Sequence, residues 1–194
     1  MYKRQVSAPA GCTATTSTSC AFSGLTNGTA YTFSVVAINA IGPSSPSSSS
    51  SAVTPATVPG APSNVTGVIG NAKVTVSWSP PATNGAAITG YSVTSTPGSF
   101  TCTTSSTSCV VNGLTNGTGY TFSVVATNSA GTGASGTSSS YTPANIPGAP
   151  TAVSAVASST SAAVTWTAPS STGGSALTGY SVTCLLYTSP SPRD

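Results

Sequence analysis

The sequence predicts an all-β fold, a tandem repeat of β-sandwiches, on three observations. Long stretches recur at an offset of 88 or 89 residues, too long for a solenoid repeat and suited to a small domain. Within each copy, apolar residues alternate with hydroxyl-bearing ones at period two, the mark of a half-buried strand. Asn-Gly, Pro-Gly and Gly-Gly turns punctuate the copies, and no stretch shows helical periodicity with caps.

The repeat brings its parts into register. "SGLTNGTAYTFSVVAINAIG" at 23–42 returns as "NGLTNGTGYTFSVVATNSAG" at 112–131, and "VPGAPSNV" at 58–65 returns as "IPGAPTAV" at 146–153. "VTVSWSPP" at 74–81 has its partner in "AAVTWTAP" at 162–169, and "ITGYSVT" at 88–94 in "LTGYSVT" at 177–183. In the middle copy "KVTVSW" sets Val74, Val76 and Trp78 on one face. "YTFSVVA" sets Tyr120, Phe122, Val124 and Ala126 on one face of another strand. Trp78 is expected to pack between the sheets near Tyr91 and Phe122, because large aromatics dominate such cores; Trp166 is its counterpart in the third copy. "PSSPSSSSS" at 43–51 suits a linker by composition, but the repeat makes it a polar loop and strand.

Only Lys3, Arg4, Lys73, Arg193 and Asp194 are charged, and there is no His. A typical soluble domain is about a quarter charged. General acid–base catalysis needs a positioned titratable group. Zinc, calcium and magnesium need His, Cys or carboxylate ligands, and phosphate contacts come chiefly from Lys and Arg. The chain is therefore read as a non-enzyme with no catalytic, cofactor-binding or metal-binding residue, and nucleic acid is not an expected partner. It also carries no membrane segment.

The two ends differ from the rest. Cys184–Thr188 can be encoded by TGT CTC TTA TAC ACA, whose reverse complement encodes Tyr-Lys-Arg and the start of Gln after a GTG start codon. "MYKRQ" at 1–5 and "CLLYT" at 184–188 thus read as opposite strands of one short DNA, which resembles the transposase-end adapter of sequencing libraries. Residues 1–5 and 184–194 are expected to be adapter-derived and are set aside. That leaves Lys73 as the lone charge and four cysteines in an internal fragment of a longer chain.

Residues 6–183 resemble tandem fibronectin type III modules of the Ser/Thr-rich bacterial secreted or cell-surface kind. The resemblance rests on "PGAPSNV" as strand A, Trp78 in strand B, "ITGYSV" as strand C, "GLTNGTGYTFSVVATNSAG" as the E–F turn and strand F, and Thr142-Pro143 at the exit. It implies an immunoglobulin-like β-sandwich in which Leu114 and Tyr120 form a tyrosine corner, the hydroxyl bonding backbone near the E–F turn. It also implies one complete module at 57–145, the C-terminal half of a module at 6–56 and the N-terminal half of a third at 146–183. Each half would expose an apolar face and unpaired edges. Module termini would lie about 30–40 Å apart, so the halves are expected to pair between chains rather than within one.

Cys12 and Cys20, and Cys102 and Cys109, occupy the same place in successive copies, just before "GLTNG". Four cysteines allow three connectivities. Since each module repeats its own pair, between strands C′ and E, local disulfides are expected, implying an oxidising compartment and an extracellular or cell-surface location. "NGT" at 27–29 and 116–118 and "NVT" at 64–66 match the glycosylation sequon, but Asn-Gly better serves a turn with positive φ.

Three roles compete. The first is a spacer of stiff modules joined by "TPATVPGAP" and "TPANIPGAP". The second is a binding module for polysaccharide or a surface protein, with Phe100 and Tyr141 as the candidate exposed aromatics and edge packing as their alternative role. The third is an accessory region of a secreted polysaccharide hydrolase. No Arg-Gly-Asp occurs in either F–G loop, so integrin-type adhesion has no residue to carry it.

Overall fold

A computed structural model describes residues 17–185, and nine strands lie among them. Seven belong to the middle module: β1 (Ser63–Gly70), β2 (Lys73–Ser79), β3 (Gly90–Thr96), β4 (Thr101–Thr104), β5 (Ser108–Asn112), β6 (Thr121–Asn128) and β7 (Gly131–Thr137). They form two antiparallel sheets, β1-β2-β5 and β4-β3-β6-β7. This is the three-plus-four arrangement of a small immunoglobulin-like sandwich.

Period-two side chains build the core between these sheets. Val74, Val76 and Trp78 of β2 join Tyr91 and Val93 of β3 and Phe122, Val124 and Ala126 of β6, all buried, with Val65, Val111, Leu114 and Tyr120 completing the cluster. Trp78 and Tyr91 meet with ring centroids 5.2 Å apart. The Trp78 indole N–H is buried without a hydrogen-bond partner among the described residues. Ser95 continues the buried alternation of β3; its hydroxyl donates to Pro97 O and accepts from the Phe100 amide, closing the β3–β4 turn.

Beyond the linker that follows Pro143, the strand plan begins again with β8 (Thr151–Ser158) and β9 (Ser161–Thr167). These pair in the register of β1 and β2, down to a shift between Thr151 and Ser154 matching that between Ser63 and Thr66. Trp166 meets Tyr180 at 5.2 Å, as Trp78 meets Tyr91. The third copy nevertheless differs from expectation in two ways. Trp166 is half-buried rather than a core residue, and 177–183, read as strand C, carries no strand pairing. In the middle module β3 is held between β4 and β6, and the described residues of the third copy supply neither neighbour. Val153 is 67% exposed where its counterpart Val65 is 9% exposed.

The first copy holds a different kind of ribbon. Tyr31 bridges Val53 and Ile38 bridges Pro43. Between them the amides of Ser44, Ser47 and Ser50 donate to the carbonyls of Ala37, Val35 and Phe33. In return, the amides of Ala37, Val35 and Phe33 donate to the hydroxyls of the same three serines, at 3.0–3.1 Å. Each hydroxyl then donates to the next carbonyl, of Ser45, Ser48 and Ser51. Three residues on one side thus match two on the other, and a serine side chain replaces the carbonyl that the extra residue carries out of reach. Residues 43–51 are therefore a paired ribbon, neither a free linker nor a regular strand. The middle module repeats one unit of it: Phe122 N donates to Ser138 Oγ at 2.9 Å, and Ser138 N donates to Phe122 O at 2.9 Å.

Candidate interaction surfaces

The two ends of the middle module and the outer face of its larger sheet hold most of its side-chain hydrogen bonds and hydroxyls. The E–F turn is set by Leu114, buried, and by Tyr120, whose hydroxyl accepts the Thr115 amide at 3.0 Å. Tyr31 does the same with the Thr26 amide at 3.0 Å, and that backbone hydrogen bond draws its pKa below the ordinary phenol value. In the turn itself the Asn116 side chain donates to Asn71 Oδ1 and accepts from the Ala72 amide, each at 2.8 Å, so its polar atoms hold the β1–β2 turn. Gly117 follows with φ +85°, a conformation that favours glycine.

At the opposite end, Asn128 is buried, and its Nδ2 donates to Thr57 O, Thr83 O and Ala86 O while Oδ1 accepts from the Ala130 amide. One side chain so ties the linker to the β2–β3 loop. Sequence reasoning missed Asn128, though its signal is present. It continues the inward series Tyr120, Phe122, Val124, Ala126 with a polar residue, and a buried amide must be satisfied.

The outer face of the β4-β3-β6-β7 sheet is a grid of hydroxyls interrupted by Val125. Register sets Thr101, Thr94, Ser123 and Thr137 in one row and Thr103, Ser92, Val125 and Ser135 in the next, with Thr127 and Thr132 beyond. A wide, shallow depression lies over Thr89, Ser92, Thr103 and Thr127. Lys73, the charge of the middle module, is exposed on β2 of the other sheet.

Phe100 and Tyr141 do not stand out as a sugar-stacking pair. Both are half-buried and pack against the core. Phe100 meets Tyr120 edge-on at 6.2 Å, in space left by Gly98, where a Cβ would lie 2.5 Å from the ring. Tyr141 lies over Gly67, whose Cβ would be 2.9 Å from its ring. The glycines admit the rings inward, so edge packing replaces the expectation of surface binding at both positions.

Cys102 of β4 and Cys109 of β5 form a disulfide with Cα atoms 6.3 Å apart, joining the two sheets. Cys20 is disulfide-bonded as well, and Cys12 lies outside the described residues. Cys184 is a free, exposed thiol. Among the described residues no group of three or more His, Cys, Asp or Glu side chains could hold a metal, and no helix is long and apolar enough to cross a membrane.

Two facing antiparallel sheets closed by a tyrosine corner in the middle module, with the corner recurring before it at Tyr31 and the first hairpin recurring after it as β8-β9, define a tandem immunoglobulin-like β-sandwich protein. The chain belongs to the fibronectin type III domain family, whose sequence pattern matches residues 2–53 and 60–142. Among solved structures, domains d3–d4 of the rat CD45 extracellular region are similar, at 22% identity over 73% of this chain and 79% of that one with a TM-score of 0.51, a likeness of fold. Domains A168–A170 of titin are 25% identical over 58% of this chain, with a TM-score of 0.45, and this chain spans 40% of that one. No curated protein matches the chain.

Proposed function

We propose that the chain is a non-catalytic spacer region of a bacterial secreted or cell-surface protein. The observation that carries this reading is the tandem repeat itself: one sequence pattern recurs every 88 or 89 residues, with consecutive copies joined through short proline-bearing segments. Such an array sets a distance between whatever lies on either side of it. The disulfide between Cys102 and Cys109 supports an oxidising, extracellular setting.

The hydroxyl grid favours a second reading, a polysaccharide- or protein-binding module, since a flat row of hydroxyls can exchange hydrogen bonds with sugar. Retention on insoluble cellulose, chitin and peptidoglycan separates the two. A spacer stays in the supernatant; retention that falls on replacing Ser92, Thr103 and Thr127 with Val would overturn the spacer reading in favour of the grid.

A further inference from the structure

We infer that the E–F turn of each module is a docking surface for the following module of the same chain, which meets it through the loop equivalent to β2–β3, and that consecutive modules are thereby held at a fixed angle. This deepens the spacer reading and takes its biological meaning from it.

Two joints in the chain have the same construction. In the first, Gly28 N donates to Pro55 O at 3.0 Å, while Thr57 N donates to Asn84 O at 3.0 Å and Thr57 O accepts from Asn128 at 2.9 Å. The linker is bound to the module before it at Pro55 and to the module after it at Thr57, leaving Ala56 alone between. In the second, Gly117 N donates to Pro143 O at 2.9 Å and Asn145 N donates to Gly173 O at 2.8 Å, leaving Ala144 alone. One residue has two soft dihedrals, far less freedom than a flexible linker.

Across each joint a glycine meets a glycine. A Cβ on Gly85 would lie 2.6 Å from Gly28 N, and a Cβ on Gly174 would lie 2.5 Å from Gly117 N. All four have positive φ: +80°, +98°, +85° and +90° for Gly28, Gly85, Gly117 and Gly174. The paired glycines are 57 residues apart in both joints. Any side chain on the later glycine would push the modules apart.

The test reads distances between spin labels at Ser139→Cys and Ser159→Cys, in a Cys184→Ser background, with labelled chains diluted into unlabelled ones so that pairs within one chain are measured. The native joint is expected to give one narrow distribution. Gly174→Val, and separately a Gly-Ser-Gly-Ser insertion after Ala144, are expected to broaden it about twofold. A second label pair inside the middle module, Ser129→Cys with Ser139→Cys, should stay narrow throughout. A native distribution as broad as that of the insertion variant would overturn the fixed joint, even if Gly174→Val failed to fold. A narrow distribution in a folded Gly174→Val variant would overturn the role of the glycine contact. Polysaccharide retention with narrow distances would remove the spacer reading and leave the joint standing.

Discussion

Trp78 is the largest aromatic in the core of the middle module. Its ring fills the space between β2 and β3 against Tyr91, and Trp78→Ala is expected to cost about 3–5 kcal/mol in urea melts, enough to unfold a marginal domain. A loss under about 1 kcal/mol would contradict its place in the core. Asn128 acts differently, through four hydrogen bonds rather than volume. Asn128→Ala leaves the Ala130 amide and three carbonyls without that partner, and a loss of about 1–3 kcal/mol is expected in the same measurement. The inward series in β6 makes Phe122 and Val124 legible from sequence. Phe100 and Tyr141 are not, because an aromatic near an edge turns in only where there is room. Gly98 and Gly67 leave that room, and no period in the sequence pairs them with the rings.

At the scale of elements, the serine ribbon and the disulfide carry separate predictions. Ser138→Ala removes the acceptor of the Phe122 amide and should destabilise the module by about 1–3 kcal/mol. Ser139→Ala, one residue on and exposed, should change stability by less than about 0.5 kcal/mol. Equal effects would show that the hydroxyl does not stand in for a carbonyl. Reducing Cys102–Cys109 should cost about 2–3 kcal/mol on the loop-entropy account, read as a shift of the urea midpoint with and without reductant. The strands themselves are legible because alternation and turn dipeptides agree. The three-for-two pairing is not, because "PSSPSSSSS" has no apolar alternation to reveal which residues face a partner strand.

For the whole molecule, positions buried in the middle module lie open in its neighbours: Val124 is fully buried while its counterpart Val35 is 72% exposed. Pairing of these open faces between chains is the expected consequence. Light scattering should return an assembly larger than a monomer for the 194-residue chain and a monomer for residues 57–145 alone; two monomers would count against it. The tandem order is plain from the repeat, whereas the joints are not, since they bring together loops that no local pattern connects.

The serine ribbon has a consequence for the outer boundary of the first copy. A free strand edge offers donors and acceptors at period two, a template on which a foreign strand can add. Residues 43–51 advance three for every two of their neighbour, and Pro43 and Pro46 have no amide to offer. An incoming period-two strand would fall out of step within a few residues, so the ribbon is a poor template for adding one.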